Sequence, residues 1–140
     1  MRFLVDTNVL SELRKGRRCH PNVARWATSH PTGELFTSVL VLGEIRHGIE
    51  HARRGDADRA LVLDRWLESV RRAFEGRILP IDQAVAEEWG RMGVPDPIPV
   101  VDGLLAATAR INGLTLATRN VADLARTGAS VIDPFEAATP

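Results

Sequence analysis

The sequence has 140 residues, enough to bury one hydrophobic core, and we predict a single domain over residues 1–140. Its 18 basic and 18 acidic residues cancel, which excludes a global attraction to nucleic acid or to membranes, so any polyanion must bind at a local site. The single cysteine excludes an internal disulfide and a thiolate metal centre, and no apolar run approaches the ~20 residues of a membrane span. We therefore expect a soluble, cytoplasmic protein without a membrane partner.

Short apolar runs alternate with longer amphipathic segments along the chain. Five runs predict β-strands, at residues 2–5, 35–38, 78–81, 115–118 and 130–132. Helical spacing of apolar residues predicts helices over about 9–13, 21–27, 39–53, 63–74, 82–92 and 101–111. This alternation predicts an α/β domain with a largely parallel sheet and right-handed crossovers.

Proline and glycine set the limits of the last of these helices. The run PDPIP (95–99) before it predicts a rigid loop, because proline lacks the N–H group that helices and strand ladders need. Asn112-Gly113 after it predicts an end in a left-handed cap. The helix should therefore begin near Val101 and stop at residue 111.

Four carboxylates follow predicted strands or occupy the helices after them. Asp6 ends the first run, in FLVDTN, and Glu44 lies a turn or two into the helix after the second run. Asp102 lies in the first turn of the helix after PDPIP, and Asp123 follows the fourth run. Ligands of open parallel sheets bind beyond the carboxyl ends of the strands, so all four carboxylates can converge there.

Each carboxylate also has a local explanation. Asp6 and Asp102 could favour helix N-termini, where a carboxylate contributes about 0.3–1 kcal/mol. Glu44 could pair with Arg46, and Asp123 could cap a short turn.

A shared site explains the four carboxylates together. Clustered carboxylates repel one another and raise one another's pKa unless a cation neutralises them. Mg²⁺ suits such a site, because it takes carboxylate ligands, keeps several waters and uses phosphate oxygens for the rest. The pattern therefore indicates hydrolysis of a phosphodiester by a metal-activated water, without a covalent nucleophile.

Two polar segments could contact a polyanionic substrate. Arg119 and Asn120, on the loop after the fourth run, could orient a phosphate or a sugar. RKGRR (14–18) could attract nucleic acid to the rim of the site by counterion release, or could be a solvated turn. No Walker loop or dinucleotide fingerprint occurs, so ATP and NAD chemistry have no support.

HGIEH (47–51) matches the His-x-x-Glu-His pattern of one group of zinc peptidases. Both imidazoles would lie on one helix face, as zinc requires, but two histidines supply only two ligands. No further glutamate ligand is distinguishable downstream. We therefore interpret this segment as the exposed end of the third helix.

Three segments together resemble the PIN-domain ribonucleases. They are LVDTNVLSELR near the start, TSVLVLGEIRHGI in the middle and PVVDGLLAATARINGLTLATRNVADL near the end, in the order and spacing of that family. The resemblance is closest to the VapC and FitB type of toxin from bacterial toxin–antitoxin pairs. It implies a PIN-like three-layer α/β/α fold around a central, mainly parallel sheet of about five strands.

The resemblance implies a metal-dependent endoribonuclease toxin that cuts RNA, such as tRNA, and is neutralised by a cognate antitoxin. By that analogy Asp6 and Asp102 are the principal ligands of Mg²⁺ or Mn²⁺. Glu44 belongs to the same acidic centre, and Asn8 lies beside it. The analogy also implies a homodimer, paired again within the toxin–antitoxin assembly.

One position departs from the family pattern. Many relatives carry an acidic residue two positions after the threonine that ends the fourth strand, where this chain has Asn120 after Thr118. Asp123 is then expected to supply the fourth carboxylate from further along the chain. The alternative function is a non-cleaving PIN-like module that binds RNA or protein, although unpaired carboxylates repel phosphate when no metal is present.

The residues after Asp6 are expected to divide two tasks. Thr7 and Asn8 would satisfy the first N–H groups of the next helix, which would leave Asp6 free for metal. On that division Thr7→Ala should mainly reduce stability, and Asp6→Asn should mainly reduce activity.

Overall fold

The computed structural model describes residues 1–137 and has five strands. They are β1 (Phe3–Val5), β2 (Leu35–Ser38), β3 (Ile78–Leu79), β4 (Thr115–Ala117) and β5 (Val131–Ile132). All five predicted strands are confirmed, with ends that differ by at most two residues. The strands form one sheet in the order β3-β2-β1-β4-β5, and every neighbouring pair is parallel.

Seven α-helices connect and flank the strands in the described residues. They are α1 (Thr7–Leu13), α2 (Pro21–Thr28), α3 (Val39–Arg53), α4 (Ala57–Ala73), α5 (Gln83–Gly90), α6 (Val100–Ile111) and α7 (Val121–Ala125). Short 3-10 turns occupy Gly16–Arg18 and Thr32–Glu34. The first six helices were predicted, whereas α7 was not, because five residues are too few to show a helical period.

Two helix starts show how polar residues set the boundaries. The helix α4 begins at Ala57 rather than near residue 63, because the Asp56 carboxylate caps it by accepting from Arg59 N at 3.0 Å. The helix α5 begins after Asp82, whose carboxylate caps it by accepting from Val85 N at 2.9 Å. A polar first turn carries no apolar stripe, so the pattern alone placed the α4 start too late.

The crossovers divide the helices between the two faces of the sheet. The chain moves outward from β1 to β2 and β3 through α1–α4, then returns across β1 to β4 and β5 through α5–α7. Right-handed connections in opposite directions lie on opposite faces, and α3 accordingly packs on α4 while α5 packs on α6. This is a three-layer α/β/α arrangement, which confirms the predicted fold class.

The central strand β1 is buried because helices cover both faces of the sheet. Phe3, Leu4 and Val5 are at most 2% exposed. The other large, fully buried hydrophobic side chains come from both helix layers and from β4: Ile49, Leu67, Leu105, Leu116, Leu124, Val9, Val23, Val41 and Val85.

The strand order reverses beside β1, which creates a crevice at the carboxyl end of the sheet. The connection leaving β1 goes toward β2, while the connection leaving β4 goes toward β5. Ligands of open α/β sheets bind at such a switch point. Asp6 follows β1 and Thr118 follows β4, so both stand at this position, and Asp6 N donates to Ala117 O at 3.0 Å.

The ends of α6 follow the sequence prediction. The helix begins at Val100, directly after the proline-rich loop, and ends at Ile111 before Gly113, whose φ of +65° is left-handed. Within residues 1–137, no helix combines the length and the apolar character needed to cross a membrane. The predicted single domain includes residues 138–140, which lie outside the described residues.

Candidate active site at the centre of the sheet

Asp6 is a buried carboxylate, 8% exposed, at the carboxyl end of the central strand. Its Oδ1 accepts from Thr7 N at 2.7 Å, and its Oδ2 accepts from Thr118 Oγ1 at 2.7 Å and from Asn8 Nδ2 at 3.4 Å. Desolvation raises the pKa of Asp6, while the hydrogen bonds from Thr118 and Thr7 act in the opposite direction. The chain thus holds a carboxylate whose ionisation is less favourable than in water, and a nearby cation would offset this effect.

The expected division of tasks after Asp6 is wrong. Asp6 itself is the N-cap of α1, with extended backbone dihedrals, and Thr7 is already the first helical residue. A capping side chain must stand before the helix, so Thr7 and Asn8 are one and two positions too late. The Thr7 hydroxyl makes no hydrogen bond of good geometry in the described part of the chain.

A hydrogen-bonded bridge between α1 and the end of β4 fixes the orientation of Asp6. Asn8 Nδ2 donates to Thr118 Oγ1 at 3.2 Å, and Asn8 Oδ1 accepts from Arg119 N at 3.1 Å. Thr118 Oγ1 also accepts from Asn120 N at 3.1 Å while it donates to Asp6. Sequence reasoning did not include Thr118 in the site; its position at the end of a strand beside β1 was the available signal.

The other three carboxylates face the same crevice from three further helices. Desolvation raises the pKa of Glu44 on α3, and the charges of Asp6 and Asp102 raise it further, while the nearby Thr7 hydroxyl opposes the rise. Desolvation likewise raises the pKa of Asp102 on α6, and the charges of Asp6 and Asp123 add to it. Asp123 lies in the first turn of α7 and is exposed. Each of the four carboxylates therefore lies close enough to at least one other for their charges to interact, with Asp102 coupled to both Asp6 and Asp123.

No cation of the described chain neutralises this cluster. Among residues 1–137, no Lys, Arg or His forms an ion pair with any of the four carboxylates. Arg46, the local partner considered for Glu44, instead lies 3.7 Å from Glu50 and 3.2 Å from Asp64. Repulsion without compensation destabilises a fold, which indicates a site kept for an added cation.

The donor set fits a hard divalent ion. All four groups are carboxylates, which suit Mg²⁺ or Mn²⁺, and the described chain brings no histidine or cysteine to the crevice. No three His, Cys, Asp or Glu side chains in residues 1–137 are already close enough to coordinate a single ion. An ion that keeps several waters needs only one or two of the carboxylates as direct ligands.

The polar segments that were expected to contact a substrate make contacts with residues outside the four carboxylates. The Arg119 guanidinium lies 4.4 Å from the centre of the Phe135 ring, and Asn120 is the N-cap residue of α7 without a side-chain capping bond. In RKGRR, Lys15 pairs with Glu12 at 3.0 Å.

The histidines of HGIEH lie on a different helix from most of the cluster. His47 and His51 are both exposed on α3. The histidine pair considered for zinc therefore stands at the surface, and the acidic crevice remains the candidate site.

Comparison with known proteins agrees with this arrangement. A PIN domain family model matches residues 3–129. Toxin FitB of Neisseria gonorrhoeae is 32% identical over 140 residues, which cover 95% of this chain and 98% of that protein. VapC ribonuclease Y4jK of Sinorhizobium fredii is 29% identical over 141 residues, covering 97% and 99%.

A solved structure extends the likeness from sequence to fold. The crystal structure of FitAcB from Neisseria gonorrhoeae superposes with a TM-score of 0.84 at 31% identity, over 96% of this chain and 99% of that chain. The family model spans β1 to β4 and the four carboxylates of the crevice, and it ends at residue 129, before β5. The chain therefore belongs to the PIN-domain family, within its group of FitB-like and VapC-like toxins.

Proposed function

We propose that this protein is a Mg²⁺-dependent or Mn²⁺-dependent endoribonuclease that acts as the toxin of a type II toxin–antitoxin pair. The observation that carries the proposal is the cluster of four carboxylates, in which neighbouring negative charges raise the pKa of Glu44 and of Asp102 and no member has an ion-pair partner in the described chain. The names of the relatives FitB and VapC ribonuclease support it.

Asp6 and Asp102 would hold the metal ion. Asp6 is buried and fixed by Thr118 and Thr7, and Asp102 stands in the first turn of α6. When bound, a divalent ion supplies positive charge that polarises the phosphodiester and activates water. Fixed ligands favour this chemistry because they need no reorganisation during the reaction.

Glu44 and Asp123 would complete the catalytic centre. Both are exposed residues of the cluster, so water and a phosphate can reach their carboxylates. We assign to Glu44 the acceptance of a proton from the attacking water, and to Asp123 the orientation of that water. Asp123 would thereby take the place of the acidic residue that Asn120 replaces.

Asn8, Arg119 and Asn120 would act next to the scissile phosphate. Both ends of the Asn8 side chain bind within the protein, so its contribution would be to hold Asp6 and the loop after β4. Arg119 and Asn120 are exposed on that loop and could donate to a phosphate or a ribose.

The partners follow from the same family. We infer RNA as substrate, a cognate antitoxin as inhibitor, and a cytoplasmic homodimer that pairs again with the antitoxin. An antitoxin that places a cationic side chain among the four carboxylates would relieve their repulsion, which gives inhibition a physical basis.

The proposal is tested by expressing the wild type and Asp6→Asn in a bacterial host. The wild type should arrest growth and create new RNA ends, whereas Asp6→Asn should do neither while it remains folded, as judged by circular dichroism. Equal toxicity of the two proteins would show that the carboxylate cluster is not the active site. RNA binding that depends on Mg²⁺ but yields no product at any protein concentration would favour the non-cleaving alternative.

A further inference from the structure

A polar pocket that contains none of the four crevice carboxylates lies where α5, α6 and α7 meet. Its volume is about 330 Å³, and three arginines line it together with one carboxylate, Glu88. The arginines are Arg91, Arg110 and Arg126. The rest of the lining is Met92, Gly93, Ile98 and Thr127.

Arg110 is held firmly at the edge of this pocket. Its Nε lies 3.4 Å from Glu88 Oε1, and its Nη1 donates to Thr127 O at 3.2 Å. A Cβ atom at Gly128 would lie 3.0 Å from the same Nη1, so the guanidinium fits there because residue 128 has no side chain. Arg110 is therefore a pre-oriented guanidinium, which loses little freedom when it binds an anion.

The guanidinium groups that line the pocket outnumber the carboxylates that could neutralise them. Glu88 is the only acidic residue of the lining, and it is shared by Arg110 and by Arg91, whose Nη1 donates to Glu88 Oε2 at 3.2 Å. Arg126 donates only a long bond, 3.4 Å, to Pro97 O. Three guanidinium groups and one carboxylate leave an excess of two positive charges, which favours an anionic ligand that accepts several N–H bonds.

The pocket adjoins the acidic crevice along two helices. Asp102 and Arg110 are eight positions apart on α6, or about 12 Å along the helix axis. Asp123 lies in α7, and Arg126 is the residue directly after that helix, three positions after Asp123. Ile98 lines the pocket and lies 3.8 Å from the Cβ position of Gly103, the neighbour of Asp102.

We propose that this basic pocket binds one backbone phosphate of the RNA strand, a few nucleotides from the bond that is cut. The separation of ~12 Å along α6 is larger than the spacing of adjacent phosphates, so the two sites would contact different nucleotides of the strand. A guanidinium cluster suits a phosphate because its planar N–H groups match the phosphate oxygens. The pocket would add affinity and set the register of the strand, whereas the chemistry stays at the carboxylates. This inference rests on the ribonuclease activity proposed above.

The test removes Arg91 and Arg126, the two arginines of the pocket that make fewer polar contacts within the protein than Arg110 does. The double variant Arg91→Gln/Arg126→Gln is compared with Arg72→Gln, a matched control on α4 whose side chain is 80% exposed. Cleavage is measured on a single-stranded RNA of about twelve nucleotides and on versions shortened from either end. We expect the double variant to raise KM roughly tenfold with little change in kcat on the long RNA, because one phosphate contact is lost. Shortening one flank, and not the other, should abolish the difference from the wild type.

Binding to the same RNA tests the pocket independently of cleavage. Both arginines are replaced in an Asp6→Asn background, and Kd is measured by fluorescence polarisation with Mg²⁺ over a range of salt concentrations. The slope of log Kd against log salt should fall by about 0.7, the value for one phosphate contact on a single strand. The conservative variant Arg110→Lys keeps the charge but loses the planar guanidinium, so it should weaken binding less than Arg110→Gln.

The outcomes separate this inference from the proposed function. If the wild type cleaves RNA and the double variant has unchanged KM, Kd and salt slope, the pocket is not a phosphate site. If inhibition by the antitoxin is lost while the RNA constants stay the same, the pocket binds an acidic protein segment instead, and the inference is wrong. If the wild type cleaves no RNA but the double variant binds it more weakly, the proposed function fails and the phosphate site stands.

Discussion

Thr118 decides how firmly Asp6 is held, because its hydroxyl donates to the carboxylate and accepts from two other groups. Thr118→Val keeps the shape of the side chain but removes all three hydrogen bonds. We expect RNA cleavage to fall about 10–100-fold and the Mg²⁺ concentration for half-maximal activity to rise, as when a metal ligand loses its supporting partner. Thr118→Ser should restore most of the activity. Wild-type metal dependence in the valine variant would contradict a positioning role.

The cap of α1 gives a second prediction at the same residue. Asp6→Asn and Asp6→Ala both remove the charge, but only asparagine can still accept from Thr7 N. The alanine variant should therefore be less stable than the asparagine variant by about 0.5–2 kcal/mol, measured by urea unfolding without metal. Thr7→Ala should change the stability by less than about 0.5 kcal/mol, because its hydroxyl has no well-formed hydrogen bond to lose. If Thr7→Ala lowered the free energy of unfolding more than Asp6→Ala did, Thr7 and not Asp6 would be the residue that caps α1.

The packing of α5 on α6 depends on a glycine beside Asp102. A Cβ on Gly103 would lie 2.8 Å from Trp89 Cδ1, so Gly103→Ala should destabilise the protein by about 1–3 kcal/mol through overpacking. Gly48 in the interior of α3 is the matched control, since no atom beyond its own neighbouring stretch of helix lies within 4 Å of its Cβ position. Gly48→Ala should raise the stability by about 0.5–1 kcal/mol, because alanine favours a helix more than glycine does. The two substitutions need not have effects of equal size, but their changes in the free energy of unfolding, measured with urea, must have opposite signs.

The elements show what the sequence could and could not predict. Short apolar runs located all five strands, because buried parallel strands are continuously apolar, and a carboxylate directly after such a run located Asp6. The sequence pattern did not predict α7, because its five residues form fewer than two helical turns. The role of Thr118 was not predicted either, since its hydrogen bond to Asp6, 112 positions away in the sequence, depends on which strands are neighbours. Periodicity reports local structure, whereas the order of strands is a property of the whole sheet.

The whole molecule is neutral, yet its charge is sorted into separate regions. Four carboxylates without an ion-pair partner in the described chain meet at the switch point, and three arginines with one acid meet where α5, α6 and α7 converge. The formal net charge of zero therefore says little about binding. Adjacent regions of opposite sign suit a ligand whose phosphates contact both, one through a metal ion and one directly.

The acidic crevice should make the stability of the metal-free protein depend on pH. The pKa of Glu44 is higher in the folded protein than its unfolded value of about 4.3, because of desolvation and the charges of Asp6 and Asp102. Its contribution to stability is therefore complete below that value and is lost as the pH rises through the folded pKa. Glu44→Gln carries no such charge, so with EDTA at pH 7 it should have a higher Tm than the wild type.

The same pair of proteins tests whether a cation relieves this repulsion. At about pH 3 the Tm difference in EDTA should vanish, because Glu44 is then protonated in both folded and unfolded chains. At pH 7, Mg²⁺ should raise the Tm of the wild type more than that of Glu44→Gln, since an ion that binds the folded state stabilises it in proportion to its affinity. Calorimetric scans at both pH values, each with EDTA and with Mg²⁺, measure these differences directly. A variant that is less stable than the wild type at pH 7 in EDTA would show that Glu44 is not repelled by its neighbours, and the crevice would then need no cation to be stable.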